Sequence, residues 1–191
     1  AVDKFEDFDN LRQYVKQVRQ HSLDNLEHYL GQFEQEAVHN GCRVHFARDG
    51  GELNSIVLDI CQQHGARRIA KGKSMVTEET GLNSFLQRAG LQVIETDLGE
   101  YIIQQAGEPP SHIIGPALHK SRRQVAELFR SKHDLGERQL EQVQDLVREA
   151  RAVLRERFLA ADVGITGANC LVAENGTAML VTNEGNGDLC S

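Results

Sequence analysis

Residues 71–116, KGKSMVTEETGLNSFLQRAGLQVIETDLGEYIIQQAGEPPSHIIGP, decide the fold, because strand and helix signals alternate within them at short intervals. Just before them, residues 67–70 (RRIA) read as a strand. Thr77 stands where an N-cap belongs, and Glu78 and Glu79 favour the positive end of a helix over 78–88. After Gly90, residues 91–95 form the next strand. Asp97 with Glu100 three positions on is a capping-box pattern for a short helix through Ala106, which Gly107 and Pro109 stop. Residues 112–115 make a further short apolar strand. Lys71, Lys73 and Ser74 follow the first strand, and the carboxyl ends of strands are where an α/β sheet carries its binding loops.

The alternation extends outward in both directions. Phe5, Phe8, Leu11, Val15 and Val18 form one helical stripe, and Leu23, Leu26, Leu30, Phe33 and Ala37 form a second, so residues 1–40 read as an N-terminal helical segment. Residues 42–47 alternate as a short strand and 52–64 read as a helix closed by Gly65, which with 67–70 makes a βαβ unit. Ser121 with Gln124 is a second capping box, opening a helix through about Lys132. Leu140, Val143, Leu146, Val147, Ala150, Val153 and Leu154 recur at three- and four-residue steps and give a long amphipathic helix over 137–159. A strand at 162–165 follows, then two apolar runs on either side of Asn175-Gly176, the strongest short hairpin signal. The expected class is α/β, with residues 41–191 as one α/β domain after the helical segment. The last expected strand ends close to Ser191, which points to a domain cut short at its C-terminal end and to a fragment of a longer chain.

With 21 Lys plus Arg against 28 Asp plus Glu, the net charge of −7 argues against a grip on nucleic-acid phosphates. No apolar run approaches the roughly 20 residues that cross a bilayer, and the acidic opening AVDKFEDFDN has no signal-peptide core, so a cytoplasmic protein is expected. Cys42, Cys61, Cys170 and Cys190 are widely separated without C-x-x-C spacing, the pattern of reduced thiols and not of a metal site. Residues 159–191 hold Asp162, Glu174, Glu184 and Asp188 with no Lys or Arg, an acidic end suited to a cation or hydroxylated ligand or to a solvated loop.

Candidate site residues fall in three groups. Lys71, Lys73 and Ser74 can hold a carboxylate or phosphate at a helix N-terminus, with a plain cationic turn as the alternative. A P-loop is excluded, because GKS lacks the earlier glycine of G-x-x-x-x-G-K-S/T. Asn183, Glu184 and Asn186 offer amide and carboxylate groups among glycines, suited to hydroxyl recognition or to a strand-to-loop transition. Glu174, before the Asn-Gly turn, is the one weak candidate for a nucleophile, and a polar turn residue explains it as well. Asp97 and Glu100 are explained as helix caps. His112 and His119 flank a strand as general-base or strand-end residues, and no third ligand of known position supports a metal.

Three stretches, KGKSMVTEETGLNSFLQRAG, TDLGEYIIQQAGEPPSHIIGPALHKSR and ADVGITGANCLVAENGTAMLVTNEGNG, together resemble the lactate-utilisation protein B family of iron-sulfur cluster-binding oxidoreductase subunits. The resemblance runs from about Phe8 to Asn186. It implies a three-layer α/β/α sandwich like that of sugar-phosphate isomerases and CoA transferases. It also implies a bacterial protein that works with two companion subunits to oxidise L-lactate to pyruvate. Two 4Fe-4S clusters are implied in the full-length family protein, in a ferredoxin-like region beyond this sequence, so no cofactor is expected in the fragment itself and no activity of it alone. On this reading the domain binds a small carboxylate or phosphate or a companion subunit. Two alternatives stand beside it: a self-sufficient isomerase or acyl/CoA transferase acting through Glu174 and the Lys73 loop, and an assembly module with no small-molecule site. The transferase likeness at AENG is four residues long, and Ala173 stands where those enzymes have a serine.

Overall fold

The computed structural model describes residues 7–112, 115–182 and 184–191. The chain divides into two compact units, Ala1–His45 with Asn169–Met179, and Phe46–Ala168 with Leu180–Ser191.

In the first unit, α1 (Phe8–Asp24) and α2 (Leu26–His39) follow the two apolar stripes of the sequence. Asp7 caps α1 by accepting from the Asn10 amide. The expected hairpin is present: β4 (Cys170–Val172) and β5 (Thr177–Met179) pair antiparallel, with Leu171 opposite Ala178. Asn175 shapes the turn, its side-chain oxygen accepting from the amide and hydroxyl of Thr177. The Asn40 side chain donates to the Asn175 carbonyl at 2.9 Å and ties the turn to the end of α2.

The second unit is an α/β layer built on a three-stranded parallel sheet in the order β2-β1-β3, with β1 (Arg68–Lys71) central between β2 (Gln92–Glu95) and β3 (Val163–Ile165). Alternate residues along the strands face opposite helical layers. Ile69 and Val93 join Cys61, Leu82, Leu86 and Leu91 in a core with α3 (Gly50–Gln63) and α5 (Leu82–Arg88). Ile94 packs on a second core of Tyr101, Val125, Phe129, Leu146, Ala150 and Leu154, drawn from α6 (Leu98–Ala106), α7 (Arg122–Lys132) and α8 (Val143–Ala160). Helices therefore cover both faces, as the α/β expectation requires. No helix among the described residues is long and apolar enough to cross a membrane.

Several local expectations are corrected. Residues 42–47 form no strand; they lie mostly exposed and without regular structure, so the sheet starts at β1. Alternation alone does not hold a strand that has no neighbour to pair with. The helix expected over 78–88 is two helices, α4 (Met75–Glu79) and α5, because Gly81 turns left-handed at φ 64°. Its cap is Ser74 and not Thr77: the Ser74 hydroxyl accepts from the Thr77 amide, while the Thr77 hydroxyl donates back to the Ser74 carbonyl. The long helix starts at Val143 and not at 137, with Asp145 accepting from the Gln142 amide. Residues before it are drawn into a buried polar network: Arg138 Nε donates to Glu149 at 2.7 Å, Glu149 meets His133 Nδ1 at 3.1 Å, and His133 Nε2 meets the Tyr101 hydroxyl at 2.7 Å. The strand expected at 112–115 falls on residues 113 and 114, which lie outside the described residues.

After Thr182 the chain forms α9 (Asn186–Cys190), which packs on β3. The contact depends on Gly164, where an added Cβ would stand 1.8 Å from the Cys190 carbonyl oxygen. Cys190 is buried, and that burial pushes its thiol pKa up. Gly164→Ala should therefore lift α9 from the sheet. The expected result is that Cys190, slow to react with a thiol reagent in the parent protein, reacts as readily as exposed Cys42 and Cys170; an unchanged rate would refute the packing.

Candidate functional site

Parallel strands aim their carboxyl ends at one edge of the layer, and three loops meet there: 72–74 after β1, 96–97 after β2 and 166–167 after β3. From β1 the chain moves to β2, then crosses through α6, α7 and α8 to return at β3 on the other side of β1. The crevice at such a reversal is where open α/β sheets bind ligands. A small cavity of about 80 Å³ lies there, lined by Gly72, Lys73, Asp97, Thr166, Thr182 and Asn186 among others. The loops approach closely: the Gly72 amide donates to the Ile165 carbonyl at 2.7 Å, and a Cβ on Gly167 would stand 2.8 Å from the Lys73 carbonyl oxygen.

The sequence candidates separate in this geometry. Lys71, the last residue of β1, is fully buried and pairs in register with Glu95, the last residue of β2. Its Nζ stands 2.8 Å from Glu95 Oε1, which also accepts from the Asn83 side chain. The approach is that of an ion pair and not of an aligned hydrogen bond, so Lys71 Nζ and Glu95 Oε2 have no hydrogen-bond partner among the described residues. Lys71 thus braces the floor of the site by holding Glu95. Lys73, two residues on, lines the crevice with its Nζ 3.0 Å from Glu100 Oε1. Ser74 is committed to capping α4. Asn186 lies buried at the start of α9, its Oδ1 accepting from the Thr182 hydroxyl and the Gly187 amide. Glu184, in the segment before α9, accepts from the Leu98 amide at 3.3 Å. Asn183 lies outside the described residues. Glu174 is exposed in the hairpin turn of the other compact unit. His119 and Lys120 both pair with Glu108.

Asp97 does cap α6, its Oδ1 accepting from the Gly99 amide at 3.0 Å. Glu100, however, does not reach back to complete a box. It lies 7% exposed, with Lys73 on Oε1 and the carboxyl group of Asp97 nearby. Burial first, and then the Asp97 contact, push its pKa up to about 7 against the pull of Lys73. Burial works against the ammonium of Lys73, but the bond to Glu100 and the charges of Glu100, Asp97 and Glu78 outweigh it and push that pKa up as well. Burial raises Glu184 too, with the Asp97 charge adding to it. Sequence reasoning passed over Glu95 and Gly167, and it explained Asp97 and Glu100 by capping alone. The signal for Glu95 was its place at the end of an apolar strand, where an acid needs a buried partner.

Glu100 also lines a neighbouring cavity of about 410 Å³ that includes Glu78, Asn83, Glu95 and Gln104. Glu184 and Asn186 border a groove of about 690 Å³ walled by Leu154, Phe158 and Leu189. Among the described residues no three His, Cys, Asp or Glu side chains converge as a metal site. Cys61 is packed in the α3/α5 core and Cys190 against Thr96, so neither thiol is presented as a ligand for a 4Fe-4S cluster.

Comparison with known proteins places the chain in a family. The LUD domain description matches residues 30–191. The chain belongs to the LUD-domain family. Across its whole length this LUD domain is 44% identical to lactate utilization protein B of Bacillus subtilis (strain 168) and 45% identical to that of Bacillus velezensis, covering 40% of each. It is also 44% identical to an uncharacterized electron transport protein, YkgF, of Escherichia coli (strain K12), again over 40% of that protein. The chain thus spans less than half the length of these relatives. No solved structure matches it.

Two outcomes follow from the buried charges. Lys71→Met leaves Glu95 without its cation and should cost about 3–5 kcal/mol in denaturant unfolding, whereas the double change Lys71→Met with Glu95→Leu should recover most of that loss. If the single change costs nothing, the pair does not brace the sheet. Glu100 has a folded pKa above its unfolded one, so the folded state binds the extra proton between those values. Stability should therefore fall as pH rises from the ordinary carboxylate range to about 7 and change no further from this group above it. Denaturation midpoints compared across that window should show the fall in the parent protein and a smaller one in Glu100→Gln.

Proposed function

We propose that this LUD domain is part of a lactate-utilisation protein of the B kind, an iron-sulfur subunit of a complex that oxidises L-lactate to pyruvate. In this reading the clusters are held outside the residues of this chain, and the crevice above β1 and β3 takes a small carboxylate. The observation that carries the proposal is the 44–45% identity, over the whole of this chain, to proteins named for lactate utilisation. The chemistry agrees with it. A cavity of about 80 Å³ suits a molecule of a few carbons, and one ammonium, a glycine-rich backbone and the hydroxyls of Thr166 and Thr182 surround it. Docking of a companion subunit over the same loops belongs to the same reading, since Asn186 lines both the crevice and the α8 groove. Glu174, exposed in the hairpin turn, has no role in this reading.

The test uses the full-length protein produced with its companion subunits, scored by iron content and lactate-dependent dye reduction. Lys73→Met and Gly167→Ala should each lower kcat/KM by about tenfold or more with iron content unchanged. Glu174→Gln should leave turnover as it was. Full turnover in both crevice variants would refute the site, and loss of turnover in Glu174→Gln would instead favour covalent transfer chemistry.

A further inference from the structure

Asp97, the N-cap of α6, and Glu100, in its first turn, bring two carboxyl groups to the Lys73 side of the crevice. Glu100 is more than nine-tenths buried, with Oε1 on Lys73 and Oε2 lacking a hydrogen-bond donor among the described residues. The neighbouring carboxyl group is Asp97, three residues before it at the helix N-cap and itself an acceptor already engaged with the Gly99 amide. Two ionised carboxylates placed together repel, and neither has a hydrogen to offer the other. The contact becomes a bond only when one of them carries a proton. Asp97 and Lys73 line the small crevice, while Glu100, paired with Lys73, lines the larger cavity, so the linked groups reach both spaces.

We propose that Asp97 and Glu100 hold a single proton between their carboxyl groups, and that this proton decides whether the crevice accepts a monocarboxylate ligand. The proposal rests on the crevice reading above and deepens it. With the proton in place, Lys73 contributes one positive charge and the carboxyl pair one negative charge, so the wall is neutral and a carboxylate can approach the ammonium. Without it, the same three groups carry one net negative charge, and Glu78 from α4 and Glu184 from the segment before α9 add to the repulsion. Beneath them, Lys71 and Glu95 balance each other as a pair. The proton exchanges with solvent and no other group is consumed, so binding a monoanion draws one proton onto the pair as pH rises past its titration point.

The test is calorimetric titration of L-lactate into the protein at about pH 6 and about pH 8.5, with Glu100→Gln alongside the parent. In Glu100→Gln the amide can donate to Asp97 while its carbonyl faces Lys73, which fixes the neutral arrangement at every pH. The parent should bind L-lactate roughly tenfold more weakly for each pH unit above about 7, while Glu100→Gln should keep the low-pH affinity at both values. Parent binding that does not change with pH, or a dependence that survives in Glu100→Gln, overturns the proposal and leaves the crevice reading standing. No binding of L-lactate at either pH contradicts the crevice reading and the ligand half of the proposal together. The shared proton is then read by itself in an infrared pH titration: a protonated-carboxyl band lost near neutrality and missing in Glu100→Gln supports it, and a parent protein without that band refutes it.

Discussion

A buried ion pair between the last residues of two neighbouring parallel strands is the constraint on which the rest of the site depends. Lys71 and Glu95 are in register, both nearly inaccessible, and face each other on the side of the sheet that carries α5. Replacing such a pair with well-packed apolar residues is often neutral or better for stability. Its presence here is better understood by position than by energy. It ends both strands at the same level, and the chain then leaves β1 through Gly72 to Lys73 and leaves β2 through Thr96 to Asp97. The Thr96 amide and hydroxyl both donate to the Lys71 carbonyl, so the two loops begin locked together.

From that base the strand period does the sorting. Lys71 points into the layer beside Asn83, whereas Lys73, past the strand end, reaches Glu100 on the first turn of α6. Two lysines in a K-G-K sequence thus take different work: one braces the sheet and the other charges the crevice. Gly167 lets the loop after β3 come within contact of Lys73, and α9 can lie on β3 because Gly164 has no side chain. The crevice is narrow because backbone meets backbone on two sides of it.

Much of this was legible in the residues, and the failures have physical causes. The apolar stripes of α1 and α2, the Ser121/Gln124 box of α7, the Asn-Gly hairpin and all three parallel strands follow from patterns within one element. Residues 42–47 carry the same alternation as a strand but find no partner, and pairing is a non-local condition that period cannot report. Asp97 and Glu100 have capping-box spacing, yet Lys73, brought from the loop after β1, offers Glu100 a cation in place of the backbone amide of its own helix. Glu184 reaches the Leu98 amide across 86 positions of sequence, and the His133–Glu149–Arg138 network that delays the start of α8 joins three separate segments. Local pattern located the loops and named Lys73, but only the fold could show which carboxylates gather round it.

The central claim is that the crevice at the carboxyl ends of β1, β2 and β3 is where this domain meets its ligand. Backbone amide chemical shifts followed during titration with L-lactate below neutral pH test it most directly. The account predicts shifts that saturate together and concentrate at residues 72–74, 96–100, 166–167 and 184–187. Shifts confined to other surfaces, or none at saturating lactate, would contradict it.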